Sequence, residues 1–376
     1  EFEDETRLRD IILQRATTGL FRQTTSEGTQ TEWAAGYHVS VAQYARLIGE
    51  LLEAARVKVP GTYWDRIHRM YRYAMAISTP NLWLPMFGDC SREEVEGTSR
   101  PEQELSGPLL EAGKQFNDPQ LSAVVELRKE DLPDPTCYAF KEGGTYVFRN
   151  SWDPDQIYFA LHCSPPAGSH DQPDNGTFEL CAYGRWLITD TGYYVYGNDP
   201  EQRAWHRQTS VHQTLTLNGE NARVDGRHLL WHDDQNISAL VCENPSYPGL
   251  KHRRTVWFVD RSFFVILDEA LGGAQGNLDL HFQLAVGDTT LELSQNRART
   301  SFDDVNVLVW ADPEASMTME AEKGWFAWKY GHRKERKAFR YRHRSGCPAA
   351  FLTMIVPFKG QDTPDVRASL SENSKV

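Results

Sequence analysis

The chain has 376 residues, of which 40% are hydrophobic and 24% charged, and its formal net charge at pH 7 is -12. This length suits two domains, and 11 Trp and 17 Phe residues supply ample material for packed cores. A mean hydropathy of -0.57 and the lack of any apolar run of about 18 residues exclude a membrane-spanning helix. The acidic balance argues against general nucleic-acid binding, although a local basic cleft could still hold a polyanion.

The six cysteines are scattered along the chain and form no CxxC pair. Metal-knuckle and thioredoxin-type sites are therefore excluded, and we expect isolated buried thiols rather than disulfides. The opening segment, EFEDETRLRDIILQRATTGL, has the pattern of a charged amphipathic helix without a start signal before it. We expect the chain to be the interior of a longer protein.

The first third of the chain shows helical periodicity, with clear cases in RLIGELLEAARV and WDRIHRMYRYAMAI. Apolar positions recur there at intervals of three and four residues, which is typical of amphipathic helices. Helices are predicted at residues 4–20, 37–57, 61–78, 100–116 and 119–129. Successive helices with short links indicate a bundle or a helical toroid, and five helices are few for a closed toroid.

The pattern changes beyond residue 131 to short runs rich in β-branched and aromatic residues, such as TYVFRN, QIYFALHC and SFFVILDEA. Turn residues separate these runs at fairly regular intervals, which is typical of antiparallel sheets packed as a sandwich. We therefore predict an α+β chain, with a helical domain over residues 1–130 and an antiparallel β-sandwich domain over residues 131–376.

One polar stretch stands out immediately before a predicted strand: GSHDQPDNGTFEL, at residues 168–180. Pro173 and Asn175 are turn formers. A turn, however, needs neither the imidazole of His170 nor the amide of Gln172. This stretch is therefore a candidate for chemistry as well as for chain reversal.

Three more polar stretches accompany it: GTQTEWAAGYHVSVAQY at 28–44, GRWLITDTGYYVYG ending at Gly197, and RAWHRQTSVHQTLTLNG at 203–219. We expect these stretches to bring six side chains within reach of one domain interface: Tyr37, His170, Gln172, Asp190, His206 and His212.

The run HDQPDNGTFEL, followed by DTGYYVYG and WHRQTSVHQTLTLNG, resembles the heparinase II/III-type polysaccharide lyases, and among them those of the heparinase III, heparan-sulfate lyase type. YHVSV, PMFGD and YVFRNSWD resemble the same family, so the likeness covers nearly the whole chain in the family's order. It implies the C-terminal portion of an (α/α) toroid followed by an antiparallel β-sandwich, with the site between them. It also implies cleavage of uronate-containing polysaccharides by β-elimination.

The resemblance implies that Tyr37 is the catalytic acid, and for one uronate epimer also the base, and that His170 is the base. From the residues alone, Tyr37 could be a packing tyrosine and His170 a surface-loop histidine. The family's toroid also supplies an asparagine that neutralises the uronate carboxylate. That asparagine lies well upstream of the tyrosine, and we expect it to precede the first residue of this chain.

In the same family an imidazole, the aspartate of a D-[ST]-G motif and a further histidine hold a metal. Here Gln172 replaces the imidazole, so the resemblance implies one structural divalent ion held by Gln172, Asp190 and His212. Such an oxygen and nitrogen donor set is compatible with calcium, manganese or zinc. The alternative is a metal-free hydrogen-bond cluster. No organic cofactor is expected.

The expected partner is a heparan sulfate-like anionic polysaccharide, contacted by Asn175, Trp205, His206 and Arg207. The basic stretch KYGHRKERKAFRYRHR, with eight Lys or Arg and one Glu, is either a sulfate-contacting rim or a solvated hairpin edge. Alginate and hyaluronan are alternative substrates, and a non-catalytic polysaccharide-binding fragment is an alternative class. The resemblance implies a periplasmic or secreted bacterial protein, monomeric in its full-length form, without nucleic-acid or membrane partners.

Overall fold

The computed structural model describes residues 5–92, 104–166, 168 and 170–368. Five helices come first, and their described ends lie within a few residues of the predicted ones. Residue 4 and residues 100–103, which were predicted to be helical, lie outside the described residues. They are α1 (Glu5–Arg22), α2 (Ala35–Ala54), α3 (Gly61–Ile77), α4 (Ser106–Phe116) and α5 (Pro119–Glu126). None of the described helices is both long enough and apolar enough to cross a bilayer.

Local signals set the helix boundaries. The Asp118 side chain caps α5 by accepting a hydrogen bond from the backbone N–H of Gln120, and Pro119 occupies the first helical position, where a missing N–H costs nothing. Gly49 lets α2 and α3 approach closely, because a Cβ there would lie 2.5 Å from the Trp64 ring.

Three sheets follow, and every strand pair in the described residues is antiparallel. A five-stranded sheet has the order β1 (Tyr138–Phe140), β2 (Thr145–Arg149), β3 (Ile157–His162), β4 (Phe178–Ala182) and β5 (Arg185–Ile188). An eight-stranded sheet has the order β12 (Thr289–Glu292), β13 (Arg297–Thr300), β14 (Val305–Ala311), β17 (Ala349–Lys359), β10 (Phe263–Gly272), β9 (Leu250–Val259), β8 (Ile237–Tyr247) and β7 (Arg227–Asp233). A four-stranded sheet has the order β15 (Thr318–Lys329), β16 (His332–His343), β11 (Leu278–Gln283) and β6 (Leu215–Leu217).

The five-stranded sheet is buried on both faces, as the fully buried strand β2 shows. Val147 belongs to the apolar cluster formed with the helices. The next residue, Phe148, belongs to the cluster that joins the sheets, and its ring packs against Phe258 and Phe264 of the eight-stranded sheet. Alternation along one strand thus places this sheet between the helices and the other sheets.

The segment before β6 contains a sixth helix, α6 (Pro200–His206), which the sequence analysis did not predict. Asp199 caps it by accepting from the backbone N–H of Gln202, and Pro200 occupies its first turn. All six cysteines are buried and free of disulfides, as predicted.

Candidate active site at the helix–sheet junction

Tyr37 and His170 meet where the helices adjoin the five-stranded sheet. Tyr37 lies in the first turn of α2, and His170 lies on the loop between β3 and β4. Their rings stack with centroids 4.2 Å apart and an interplanar angle of 23°. The backbone N–H of Asp89 donates to the His170 carbonyl at 2.9 Å. A Cβ at Gly88 would lie 2.7 Å from that same oxygen, so this approach requires glycine.

Glu32 holds the imidazole from the other side. One carboxylate oxygen of Glu32 lies 2.8 Å from Nδ1 of His170, and both side chains are partly exposed, at 39% and 27%. A carboxylate at Nδ1 fixes the tautomer and leaves Nε2 for proton transfer. Glu32 was missed by the sequence analysis, although it lies only five residues before Tyr37.

Tyr196 is the second residue that the sequence analysis missed. Its hydroxyl lies 2.6 Å from the hydroxyl of Tyr37. The Tyr193 ring centroid lies 5.0 Å from that of Tyr196, and the Arg203 guanidinium lies 4.8 Å from it. Burial raises the pKa of Tyr196 above its usual range, with the hydrogen bond to Tyr37 acting in the same direction. Burial likewise raises the pKa of Tyr193 to about 12.

Asp89 ties α6 to the loop that carries His170. Its buried carboxylate pairs with Arg203 and accepts from Arg207 at 3.0 Å and from the Gln172 amide at 3.1 Å. Arg207 also donates to the backbone carbonyl of Asp171 at 2.5 Å. Asp89 is the last residue of PMFGD, which in the sequence analysis contributed only to the family resemblance. Asp89 acts here as a shared acceptor for three donors.

Behind this loop lies a buried cluster of metal-ligand types. Atoms of Asp174, Asp190 and His212 all lie within 4.8 Å of one another, and the Asp190 carboxylate is 3.5 Å from Nε2 of His212. The sequence analysis predicted Asp190 and His212 as ligands and missed Asp174. That residue lies in DQPDN, between Pro173 and Asn175, the two residues identified as turn formers.

The buried ligand atoms of this cluster lack hydrogen-bond donors among the described residues. They comprise both carboxylate oxygens of Asp174, one of Asp190, Nε2 of His212 and the amide oxygen of Gln172. Buried acceptors without donors are rare in native proteins, and a bound cation would satisfy them together. The residues present therefore fit a divalent cation.

Electrostatics in the cluster agree with that fit. Burial and the neighbouring Asp174 carboxylate raise the pKa of Asp190 well above its usual range. Burial raises the pKa of Asp174 to about 7 and lowers that of His212 to about 3. Carboxylates crowded in a dry interior resist ionisation, and a cation in their midst removes that penalty.

Two predicted substrate contacts are wrong, because their side chains are buried. Asn175 is 2% exposed, and its amide bonds both the N–H and the carbonyl of Ser164, at 2.8 and 2.9 Å. It therefore locks the β3–β4 loop. His206 is 0% exposed, its Nδ1 lies 3.0 Å from the Gly192 carbonyl, and burial lowers its pKa to about 3. Trp205 and Arg207 keep partly exposed side chains, and their substrate contacts stay predictions.

The basic stretch forms strand β16 and the turn before it, and most of its arginines bind protein groups. Arg340, Arg342 and Arg344 pair with Glu320 at 2.7, 3.1 and 2.9 Å. Buried Arg336 donates to the Thr189 carbonyl at 2.9 Å. The sulfate-contacting role stays a prediction, for which Lys337 and the tip of the hairpin between β15 and β16 are exposed.

That tip adjoins the candidate site. The Tyr330 hydroxyl donates to Asn198 at 3.0 Å, and Arg333 donates to Gln202 at 2.5 Å. The hairpin therefore rests on the segment that runs from Tyr196 into α6.

Two family models match this chain. Residues 133–369 match the model described as Heparinase II/III-like, C-terminal, and residues 1–104 match the one described as Heparinase II/III N-terminus. The chain belongs to the heparinase II/III family. The predicted resemblance is confirmed.

Several proteins resemble this heparinase II/III-family chain along most of its length. A protein named heparin-sulfate lyase from Bacteroides stercoris is 33% identical over 365 residues, covering 94% of this chain and 54% of that protein. One of the same name from Pedobacter heparinus is 31% identical over 390 residues, covering 99% and 57%. The chain thus spans little more than half the length of these relatives.

The crystal structure of heparan sulfate lyase HepC from Pedobacter heparinus superposes on the chain with a TM-score of 0.87 at 29% identity. The match covers 97% of this chain and 58% of HepC. The predicted α+β fold, a portion of a helical toroid followed by a β-sandwich, is confirmed.

Proposed function

We propose that this protein is a polysaccharide lyase that cleaves heparan sulfate, or a closely related uronate-containing glycosaminoglycan, by β-elimination. The observation that carries the proposal is the contact between the Tyr37 phenol and the His170 imidazole at the helix–sheet junction. The similarity to proteins named heparin-sulfate lyase and heparan sulfate lyase supports the substrate class.

Elimination requires a base at C5 of the uronate and an acid at the oxygen on C4. The C5 proton is only weakly acidic, because the adjacent carboxylate resists further negative charge. Positioned donors and proton-transfer groups lower that barrier. A phenol and an imidazole in contact supply both functions, since each can take up or release a proton.

Tyr37 and His170 divide these roles in our proposal. Tyr37 delivers a proton to the departing oxygen and, for one uronate epimer, first removes the C5 proton. His170 serves as the base for the other epimer, and its protonated form is stabilised by Glu32 at Nδ1. The resulting sugar carries a C4–C5 double bond conjugated with its carboxylate.

We also propose one structural divalent cation, held by Gln172, Asp174, Asp190 and His212. Three of these four residues offer oxygen, which favours calcium or manganese over zinc. When bound, the ion fixes the β3–β4 loop. Because Gln172 and Asp174 closely follow His170, that loop presents the imidazole at a constant position.

The remaining expectations complete this proposal. A sulfated uronate polymer as substrate suits an extracellular or periplasmic location in a bacterium. The full-length protein is proposed to be a monomer. Alginate and hyaluronan stay alternative substrates. A non-catalytic polysaccharide-binding role stays the alternative class.

One assay separates these candidates. The full-length protein, with the upstream segment expected to carry the carboxylate-neutralising asparagine, is incubated with heparan sulfate, alginate or hyaluronan, and ultraviolet absorbance of the conjugated uronate is followed. We expect absorbance to rise with heparan sulfate, and Tyr37→Phe and His170→Ala to suppress the rise. Binding to heparan sulfate without any rise would support the non-catalytic alternative and contradict the lyase proposal.

A further inference from the structure

The hydroxyl of Tyr37 has one hydrogen-bond partner in the described part of the chain, the hydroxyl of Tyr196, at 2.6 Å. This separation falls in the range of O–H···O⁻ hydrogen bonds, about 2.5–2.7 Å. The two residues come from distant parts of the sequence, so only the fold brings the hydroxyls together. A tyrosine that acts as a base must first lose its phenolic proton, and a neighbouring hydrogen-bond donor favours the resulting phenolate.

We propose that Tyr196 is a positioning residue for the elimination: its hydroxyl donates the hydrogen bond that stabilises Tyr37 as a phenolate. This inference rests on the proposed function, because it assigns Tyr37 a basic form for one uronate epimer. Tyr196 itself touches no reacting atom in this scheme.

The position of the proposed base decides which hydroxyl donates. The Tyr37 ring lies against the His170 ring at the junction, and in the proposed function Tyr37 is the group that takes up the C5 proton. Its oxygen must then accept the hydrogen bond, so the Tyr196 hydroxyl donates it. In agreement, burial raises the pKa of Tyr196 above its usual range, and the bond to Tyr37 acts in the same direction.

Packing holds the Tyr196 ring in place. The Tyr193 and Tyr330 ring centroids lie 5.0 and 6.2 Å from that of Tyr196. The Arg203 guanidinium covers the ring at 4.8 Å and is itself paired with buried Asp89. A ring fixed on several sides keeps its hydroxyl aimed at Tyr37 without further loss of side-chain entropy.

The pair therefore sits among defined titratable and charged groups. They are His170 on Tyr37, Glu32 behind His170, and Arg203, Asp89, Tyr193 and Tyr330 around Tyr196. Because the Asp89 carboxylate is shared by Arg203 and Arg207, the Arg203 guanidinium keeps part of its positive charge beside the Tyr196 ring. The Tyr196 hydroxyl is the polar group bonded to the Tyr37 oxygen.

The proton count of the step balances. The Tyr37 phenolate takes the C5 proton, and the electron pair left at C5 forms the C4–C5 double bond as the C4–O bond breaks. The departing oxygen takes that proton from Tyr37. The phenolate is regenerated, while Tyr196 keeps its own proton throughout and only reorients its O–H bond.

The test replaces Tyr196 by phenylalanine, which removes the hydroxyl and keeps the ring. Tyr183→Phe is the matched control, because it removes a hydroxyl from a tyrosine at the β4–β5 turn, packed against Lys359 at the opposite end of β4 from the His170 loop. For Tyr196→Phe we expect kcat on heparan sulfate to fall about ten- to hundredfold at neutral pH, the usual effect of losing a hydrogen bond to a charged group. KM should change little, and activity should recover at alkaline pH. Tyr183→Phe should match the wild type.

A second readout needs no activity. In protein labelled with 13C at the tyrosine Cζ position, the resonance missing from Tyr37→Phe identifies Tyr37. Its ionisation midpoint should move about one unit to higher pH in Tyr196→Phe, a tenfold change in the ionisation constant, and should not move in Tyr183→Phe. An unmoved midpoint would overturn the inference. A wild type that forms no unsaturated uronate would refute the lyase proposal instead, and the resonance would still test the tyrosine pair.

Discussion

Glu32 and His170 are 138 positions apart in the sequence, yet the Glu32 carboxylate lies 2.8 Å from Nδ1 of the His170 imidazole. Glu32 precedes α2, and His170 lies on the β3–β4 loop, so this contact links the helices to the sheets at the candidate site. It also orients the proposed base, since a ring held at Nδ1 can exchange protons only through Nε2.

Glu32→Gln should lower kcat on heparan sulfate about ten- to hundredfold, because an amide does not stabilise the imidazolium as a carboxylate does. Steady-state kinetics of the folded variant measure the effect. Glu111→Gln is the matched control: Glu111 pairs with Arg46 at 2.6 Å on the helices, and its loss should leave kcat unchanged. Equal rates for all three proteins would show that Glu32 does not orient the base.

His170→Ala should reduce kcat by roughly two to four orders of magnitude, the usual contribution of a positioned acid–base group. Its side chain is 27% exposed, so the fold should remain intact. Circular dichroism and thermal melting check the fold, and the uronate absorbance assay measures the rate. Near-wild-type turnover would remove His170 from the mechanism.

Purified protein should contain about one equivalent of a divalent metal by elemental analysis. Asp190→Ala and Asp174→Asn should both lose the metal and melt at a lower temperature, because each removes a ligand from a buried cluster. Asp225→Asn, in an exposed pair with Arg227 at 2.9 Å, should retain it. If the wild type is fully stable without a metal, these residues form a metal-free hydrogen-bond cluster instead.

Asp89→Asn should destabilise the protein by about 2–3 kcal/mol, since it weakens charge-assisted bonds to Arg203 and Arg207. The same change should loosen α6 from the β3–β4 loop. Chemical denaturation measures the free energy of unfolding, and hydrogen exchange reports on α6. Wild-type exchange rates in α6 would contradict the role assigned to Asp89.

The contribution of Asp118 should depend on pH. Burial opposes its ionisation, but hydrogen bonds from His68 and Arg72 outweigh burial and lower the pKa of Asp118 to about 2. Because the folded-state pKa is depressed, the stabilisation is fully present above about pH 4, the usual aspartate value, and is lost as pH falls toward 2.

Asp118→Ala should therefore cost about 1 kcal/mol near neutral pH through loss of the α5 cap. The difference from the wild type should shrink below pH 4. Urea unfolding at several pH values measures this difference. A constant difference down to pH 2 would contradict the ionised cap.

Sequence periodicity located α1 to α5 and the strands because a repeat of apolar residues is a local property. The family resemblance located Tyr37, His170, Asp190 and His212 for a similar reason, since each lies in a contiguous motif. Glu32 and Tyr196 also lie in the quoted stretches GTQTEWAAGYHVSVAQY and DTGYYVYG. Their importance, however, arises from contacts across 138 and 159 positions, which those stretches do not reveal.

The errors have equally specific causes. Asn175 and His206 lie in the motifs that carry the resemblance, but both side chains are buried. Asn175 lies on a loop, where sequence spacing does not determine the direction of a side chain, and His206 ends α6, which was not predicted. The helix α6 was missed because seven residues are too few for a periodic signal. Its start, Asp199 followed by Pro200, is nevertheless a recognisable capping pattern.

The five-stranded sheet has a consequence for how this molecule could be divided. Since Val147 faces the helices and Phe148 faces the other sheets, strand β2 contributes side chains to two hydrophobic cores. Cutting the chain between α5 and β1 would remove the helices from one face of the sheet and expose its apolar side chains to water. The helical and sheet regions should accordingly melt in a single cooperative transition, and neither should survive as an excised module.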